Sequence, residues 1–189
     1  MKIGTRSLLF GAHQFALHPW FVAVAWWKLY GFPWDPRLWV AFFVHDIGYL
    51  GKPNMDGPEG ETHPELGARI MGWLFGSAWY EFTLLHSRFY AKALGRQFSR
   101  LCVADKLAIV LDPWWLYLPR VILSGEVREY TRGEGGRTPI DAGGLRGWHR
   151  RVCAYLRAWV GEHRDLREDT WTSHHGLTDV DQVRIDAQR

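Results

Sequence analysis

The sequence predicts an all-α fold, a single-domain helical bundle. Three observations predict it. Apolar residues recur at helical spacing through most of the first 124 residues. The breaks between these runs fall at Pro, Gly and helix-capping Asp, Ser or Thr. No stretch alternates apolar and polar residues as a half-buried strand would. A length of 189 residues, 47% hydrophobic and 23% charged, suits one domain with a substantial core. There is no internal repeat.

Residues 5–30 read as the first helical region. Pro19 divides it, because proline is tolerated only at a helix start. A loop over 31–36 ends in Asp35 as N-cap and Pro36 in the first turn of the next helix. That helix carries Leu38, Ala41, Phe42, His45 and Tyr49 on one side, which puts His45 on the inward stripe. Residues 51–61 form a polar loop punctuated by Gly and Pro. Thr62 then caps a helix that groups His63, Gly67, Ile70, Met71 and Leu74. Ser77 opens another, aligning Phe82, His86, Phe89 and Ala93 and ending at Gly95. A fifth starts near Ser99, places Leu101, Asp105 and Ala108 on one face, and stops at Asp112-Pro113. Residues 114–123 are apolar but contain Pro119. Residues 145–163 read as an amphipathic helix with Trp148, Val152, Tyr155, Leu156 and Val160 inward. The organisation is therefore a helical domain over 1–124, a Gly/Arg-rich loop over 125–147, a C-terminal helix within 148–166 packed on the same domain, and a polar tail over 167–189.

Composition narrows the function classes. The net charge of +3, with acids and bases interspersed, fits an anionic small molecule. The positive charge is not clustered and no recognition motif appears, so nucleic acid is not an expected partner. Cys102 and Cys153 lie far apart and form no CxxC pair, which leaves a thiolate zinc site and a disulfide framework without support. A reduced, cytoplasmic setting is expected. His18, Pro19 and Lys28 interrupt the apolar stretch over 15–30, so no membrane span is expected. Lys2 and Arg6 precede only a short apolar patch with a poor cleavage site, so no signal peptide is expected either. The 12 Trp, 10 Phe and 7 Tyr are expected mostly in the core or in pocket walls. Trp20, Trp26, Trp27, Trp34 and Trp39 in particular read as a buried aromatic wall.

The dipeptide His45-Asp46 stands inside the apolar run 41–49. An ionised Asp there is costly to bury unless something cationic meets it. His18 precedes it, and His63, His86 and Asp105 follow, each among apolar residues at helical spacing. A lone His on an apolar stripe is commonly a core residue with a satisfied hydrogen bond. Six such groups together point to a divalent metal instead. The expected ligands are His18, His45, Asp46 and Asp105 for one ion, with the second oxygen of Asp46 bridging to another ion held by His63 and His86. Imidazole and carboxylate without thiolate favour Mn, Fe, Co, Ni or Zn, as one or two ions. A bound metal lowers the pKa of water, and with two ions a bridging hydroxide is the expected nucleophile. Asp46 is accordingly the expected catalytic residue. Arg88, Lys92, Lys52 and Lys106 lie close enough in sequence to neutralise phosphate, Arg88 foremost through its two-pronged contact.

The ordered pattern H…HD…H…H…D resembles that of the HD-domain metal-dependent phosphohydrolases. It is carried by Val44-His45-Asp46-Ile47-Gly48, His63-Pro64-Glu65-Leu66-Gly67-Ala68, Leu84-Leu85-His86 and Val103-Ala104-Asp105-Lys106-Leu107, and covers residues 18–106. His13 competes with His18 for the first position. His18 is preferred because His18-Pro19-Trp20-Phe21-Val22 looks like the family's opening motif. The resemblance implies a helical enzyme that hydrolyses phosphate esters or anhydrides, often of nucleotides, and the two extra histidines look like the dinuclear type. Many members carry Lys after HD-x-Gly, where this chain has Tyr49.

The expected activity is thus hydrolysis of a phosphoester or phosphoanhydride bond in a nucleotide-like small molecule. A catalytically silent nucleotide-binding or sensing module of the same fold is the alternative. A membrane-peripheral phosphohydrolase, motivated by the tryptophans, is a third reading.

Overall fold

The computed structural model describes residues 1–131 and 143–165. It is all-α, with no strand among the described residues. The helices are α1 (Ile3–Phe10), α2 (His18–Tyr30), α3 (Pro36–Val44), α4 (Pro58–Glu61), α5 (Pro64–Phe75), α6 (Ser77–Leu84), α7 (Arg88–Ala93), α8 (Arg100–Leu111), α9 (Trp114–Ser124), α10 (Val127–Tyr130) and α11 (Gly144–His163). A 3₁₀ turn covers Ile47–Tyr49.

Local chemistry accounts for most boundaries. Asp35 caps α3 by accepting the Arg37 backbone N–H at 2.9 Å, and Pro36 fills the first turn. Pro19 occupies the first turn of α2, where its missing N–H costs nothing. Gly31 ends that helix at φ 89°, a conformation that glycine adopts freely.

The centre of the molecule is the contact of α2 with α8. Ala25 of α2 and Ala104 and Ala108 of α8 are small and fully or almost fully buried, which lets the helices approach closely. Val22, Phe42, Met71 and Leu101 fill the surrounding space. Each such large side chain contributes roughly 1.5–3 kcal/mol on burial. α11 closes the other side of α8, with Trp159 and Val160 packed on Phe98, Cys102 and Val103. Cys102 and Cys153 are buried free thiols.

Several boundaries differ from the periodicity. The region over 5–30 is two helices with a break at residues 11–17 rather than one helix divided at Pro19. α3 stops at Val44, so His45-Asp46 stands at a junction and not inside a helix. α6 and α7 are separate, and His86 lies in the turn between them. His63, not Thr62, occupies the N-cap of α5, because the Thr62 hydroxyl donates back to the Glu59 carbonyl at 2.8 Å. α4 forms within the stretch read as polar loop. α10 falls inside the stretch read as a Gly/Arg-rich loop, while α11 matches the helix read over 145–163 to within one residue. The rest of that loop, residues 132–142, and the tail read over 167–189 lie outside the described residues.

The aromatic wall is a clearer correction. Trp26 is buried and Trp39 half-buried, but Trp20, Trp27 and Trp34 are 54%, 59% and 84% exposed. α2 is apolar nearly all round, and its neighbours cover only one side. Among the described residues, no single helix is long and apolar enough to cross a membrane.

Candidate metal centre

Six buried side chains from five separate segments converge on one place. His18 comes from the first residue of α2, and Asp105 from the middle of α8. Close packing of those two helices brings His18 Nε2 to 3.0 Å from Asp105 Oδ1. His45 and Asp46 come from the turn after α3, His63 from the start of α5, and His86 from the turn after α6. Ligand atoms of His18, His45, Asp46 and Asp105 all lie within 4.8 Å of one another, and those of Asp46, His63 and His86 form a second such group.

Asp46 joins the two groups. Its Oδ2 lies 3.1 Å from His45 Nε2 and 3.4 Å from His18 Nε2. Its Oδ1 faces His63 Nε2 at 3.6 Å and His86 Nε2 at 3.5 Å. Both residues keep near-helical backbone angles, so the convergence is made by their side chains where α3 ends.

Two glycines permit the convergence. A Cβ on Gly48 would stand 1.9 Å from the His63 carbonyl oxygen, and one on Gly67 would stand 2.3 Å from the Val44 oxygen. The His45-Asp46 segment and the His63 segment touch backbone to backbone only because neither glycine has a side chain.

Three of the rings are held by the same device. His45 Nδ1 bonds the Phe42 carbonyl at 2.9 Å, His63 Nδ1 the Gly60 carbonyl at 2.8 Å and His86 Nδ1 the Thr83 carbonyl at 2.6 Å. A carbonyl only accepts, so Nδ1 carries the proton and each Nε2 presents a lone pair to the centre. That is the arrangement in which metal-ligating histidines are found. His45 Nε2 and Asp46 Oδ2, both buried, have no hydrogen-bond partner. At 3.1 Å the pair is satisfied by a proton on Nε2 or by a cation lying against both atoms. The donor set and its orphaned atoms therefore fit a divalent metal ion.

The electrostatics agree with that fit. Burial disfavours charge on Asp46, yet the His45 and His13 rings outweigh it and hold its carboxyl well below the usual carboxylate range. For Asp105, burial is outweighed by the Lys106 ammonium, whose Nζ lies 2.8 Å from Oδ2, and by His18. Burial, with His86 adding to it, pushes the His63 pKa well down. For His45 burial also pushes down, but Asp46 and Asp105 reverse the sign and its pKa is raised.

His13 stands beside this centre. It bonds the Ser7 hydroxyl at 2.9 Å, and its ring lies 5.7 Å from that of His18. The grouped ligand atoms include His18 and not His13.

A cavity of about 560 Å³ opens onto the centre. Asp46, His63, His86 and Asp105 form one end, with Arg88 and Lys106 beside them. Tyr117, Tyr130, Trp148, Tyr155 and Leu156 form an apolar stretch of the wall, and the carboxylates Asp56 and Glu61 also line it. Lys52 and Lys92 are not part of the wall. The Lys52 ammonium turns instead to the Thr62 hydroxyl, and Lys92 sits in the last turn of α7. The aromatic residues were expected in the core or in pocket walls, with nothing to say which ring does which. Nothing local distinguishes a ring that lines a cavity from one that fills it. Tyr49, read on the same stripe as His45 and as a departure from the family's Lys, stacks its ring on His63 at 4.0 Å between centroids and 10° between planes.

Comparison with protein-family models, with curated proteins and with solved structures gives no match to this chain. The buried cluster is compatible with an HD-type motif, and it can hold a metal on its own geometry.

Proposed function

We propose that this protein is a metal-dependent phosphohydrolase acting on a phosphoester or phosphoanhydride bond of a small, nucleotide-like molecule. The observation that carries this reading is the pair of ligand groups sharing Asp46, one carboxylate oxygen turned to each. A divalent ion, when bound, brings the pKa of a water toward neutrality and so supplies hydroxide at working pH.

The chain's own residues would do the rest. Asp46 is the shared carboxylate of both groups. Arg88 and Lys106 stand at the same end of the cavity and would take the phosphate charge. Lys106 is suited to this because Asp105 keeps its ammonium protonated against the cost of burial. The aromatic wall, with Tyr117, Trp148 and Tyr155, would hold the organic part of the substrate and keep bulk water from it.

The test couples metal analysis of the purified protein to a phosphate-release screen over nucleotides and simple phosphoesters. The proposal expects transition metal in the protein and release from at least one compound. A metal-loaded, folded protein that is inert on the whole panel would defeat it.

A further inference from the structure

Trp20, Trp27 and Trp34 are exposed along one stripe. Trp20, Val24 and Trp27 follow at i, i+4 and i+7 on α2, and all three are exposed. The stripe continues past the helix through Phe32 and Trp34, whose rings are 4.5 Å apart, with Phe32 5.9 Å from Trp27. Leaving such a surface in water is unfavourable, so a stripe of this size calls for something to cover it.

Charge says what that is. The first 34 residues contain Lys2, Arg6 and Lys28 and no Asp or Glu. Lys28 is exposed beside Trp27. The first acid, Asp35, is already held by Arg37, with Oδ2 2.7 Å from Nη2. The charged side chain on the stripe itself is Lys28, so a second copy docked face to face would set like charge against like charge. An anionic lipid surface complements it, and tryptophan favours the membrane–water boundary over either phase alone.

We infer that the α2 stripe is a docking surface for an anionic membrane, on which the chain lies without crossing it. The same helix carries His18 at its other end, so the docked face and the buried centre share one rigid element. The inference does not depend on the chemistry of that centre.

The test uses the full chain with vesicles of phosphatidylcholine alone and of phosphatidylcholine with phosphatidylglycerol. Co-sedimentation is expected to be about fivefold or more stronger with the anionic vesicles, from about 1 kcal/mol for Lys28 near the surface. The double variant Trp27→Ser, Trp34→Ser should lose that binding while keeping the helical circular dichroism of the parent. Lys28→Glu should weaken binding to the anionic vesicles alone. Should the double variant fail to fold, quenching of the parent's fluorescence by brominated lipid decides instead, with strong quenching in support and none against. Failure of the parent to sediment with either vesicle, or undiminished binding by a folded double variant, overturns the inference. So does a parent that ignores vesicles and sediments as a dimer, with the double variant a monomer.

Discussion

His63 and His86 face each other with their Nε2 atoms 3.2 Å apart, while each gives its Nδ1 proton to a carbonyl three residues upstream. Two lone pairs are thereby aimed at one another in a buried place. Such an arrangement is stable only with a cation or a proton between them. Burial and the neighbouring ring push the His63 pKa well down, so a metal ion meets less competition from a proton on that ring.

Asp46→Ala should therefore remove both metal and turnover, because this carboxylate faces both ligand groups. Turnover is expected to fall by at least about 10²–10³-fold, the usual loss on removing one transition-state contact. Elemental analysis and phosphate release measure the two effects. Retained activity would refute the assignment of the centre.

Arg88→Ala should leave the metal in place and raise KM, by about tenfold or more for a charged hydrogen bond worth roughly 1.5–3 kcal/mol. The guanidinium carbon also lies 5.5 Å over the Trp159 ring. Stability should drop by about 2 kcal/mol from that contact, because the Trp159 ring is buried. Steady-state kinetics and a thermal melt separate the two.

Tyr49→Ala removes the ring stacked on His63. Metal affinity should fall about 10–100-fold, as it does when a partner that orients a ligand is lost. Tyr49→Phe keeps the ring and should bind metal normally. Equal losses in the two variants would mean that the hydroxyl, not the stacking, matters.

Gly48→Ala places a methyl group against the His63 carbonyl oxygen, which is backbone and cannot swing aside. A destabilisation of about 1–3 kcal/mol is expected from overpacking, together with a lower metal content. Denaturant titration of the metal-free protein reads the first directly.

The metal-stripped protein should show two opposed pH effects. His63 binds a proton less readily folded than unfolded, so its contribution to stability is full above the ordinary imidazole pKa and declines as pH falls below it. His45, whose pKa is raised, contributes fully below the ordinary value and loses that contribution as pH rises through its folded pKa. His63→Asn deletes only the first effect. The variant should accordingly gain stability relative to the parent between about pH 7 and about pH 5, across the imidazole range. Thermal midpoints in chelator at several pH values test the sign, and a constant difference would contradict it.

Much of this was legible in the sequence, for identifiable reasons. Asp35-Pro36, Ser99 and Asp112-Pro113 mark helix ends by their own conformational limits, and α3 and α8 begin or end at them. The six polar residues stood out because a buried carboxylate or imidazole needs a partner. Periodicity failed where a helix ended and another began in nearly the same direction of apolar residues, which hid the turns holding His45 and His86. It also says which residues are apolar without saying which side acquires a neighbour, and so it buried Trp20, Trp27 and Trp34. The interior pair Arg120–Asp112 and the fully buried Glu126, which accepts the Ala12 N–H at 3.2 Å, were illegible because Glu126 and Ala12 are far apart in sequence, and the pair only acquires meaning once its burial is known.

The backbone anchors of His45, His63 and His86 each lie one turn away in the same short stretch of chain. Ring direction is thus decided locally, before any guest arrives. A socket oriented in this way asks no rearrangement of its rings from an ion that enters it.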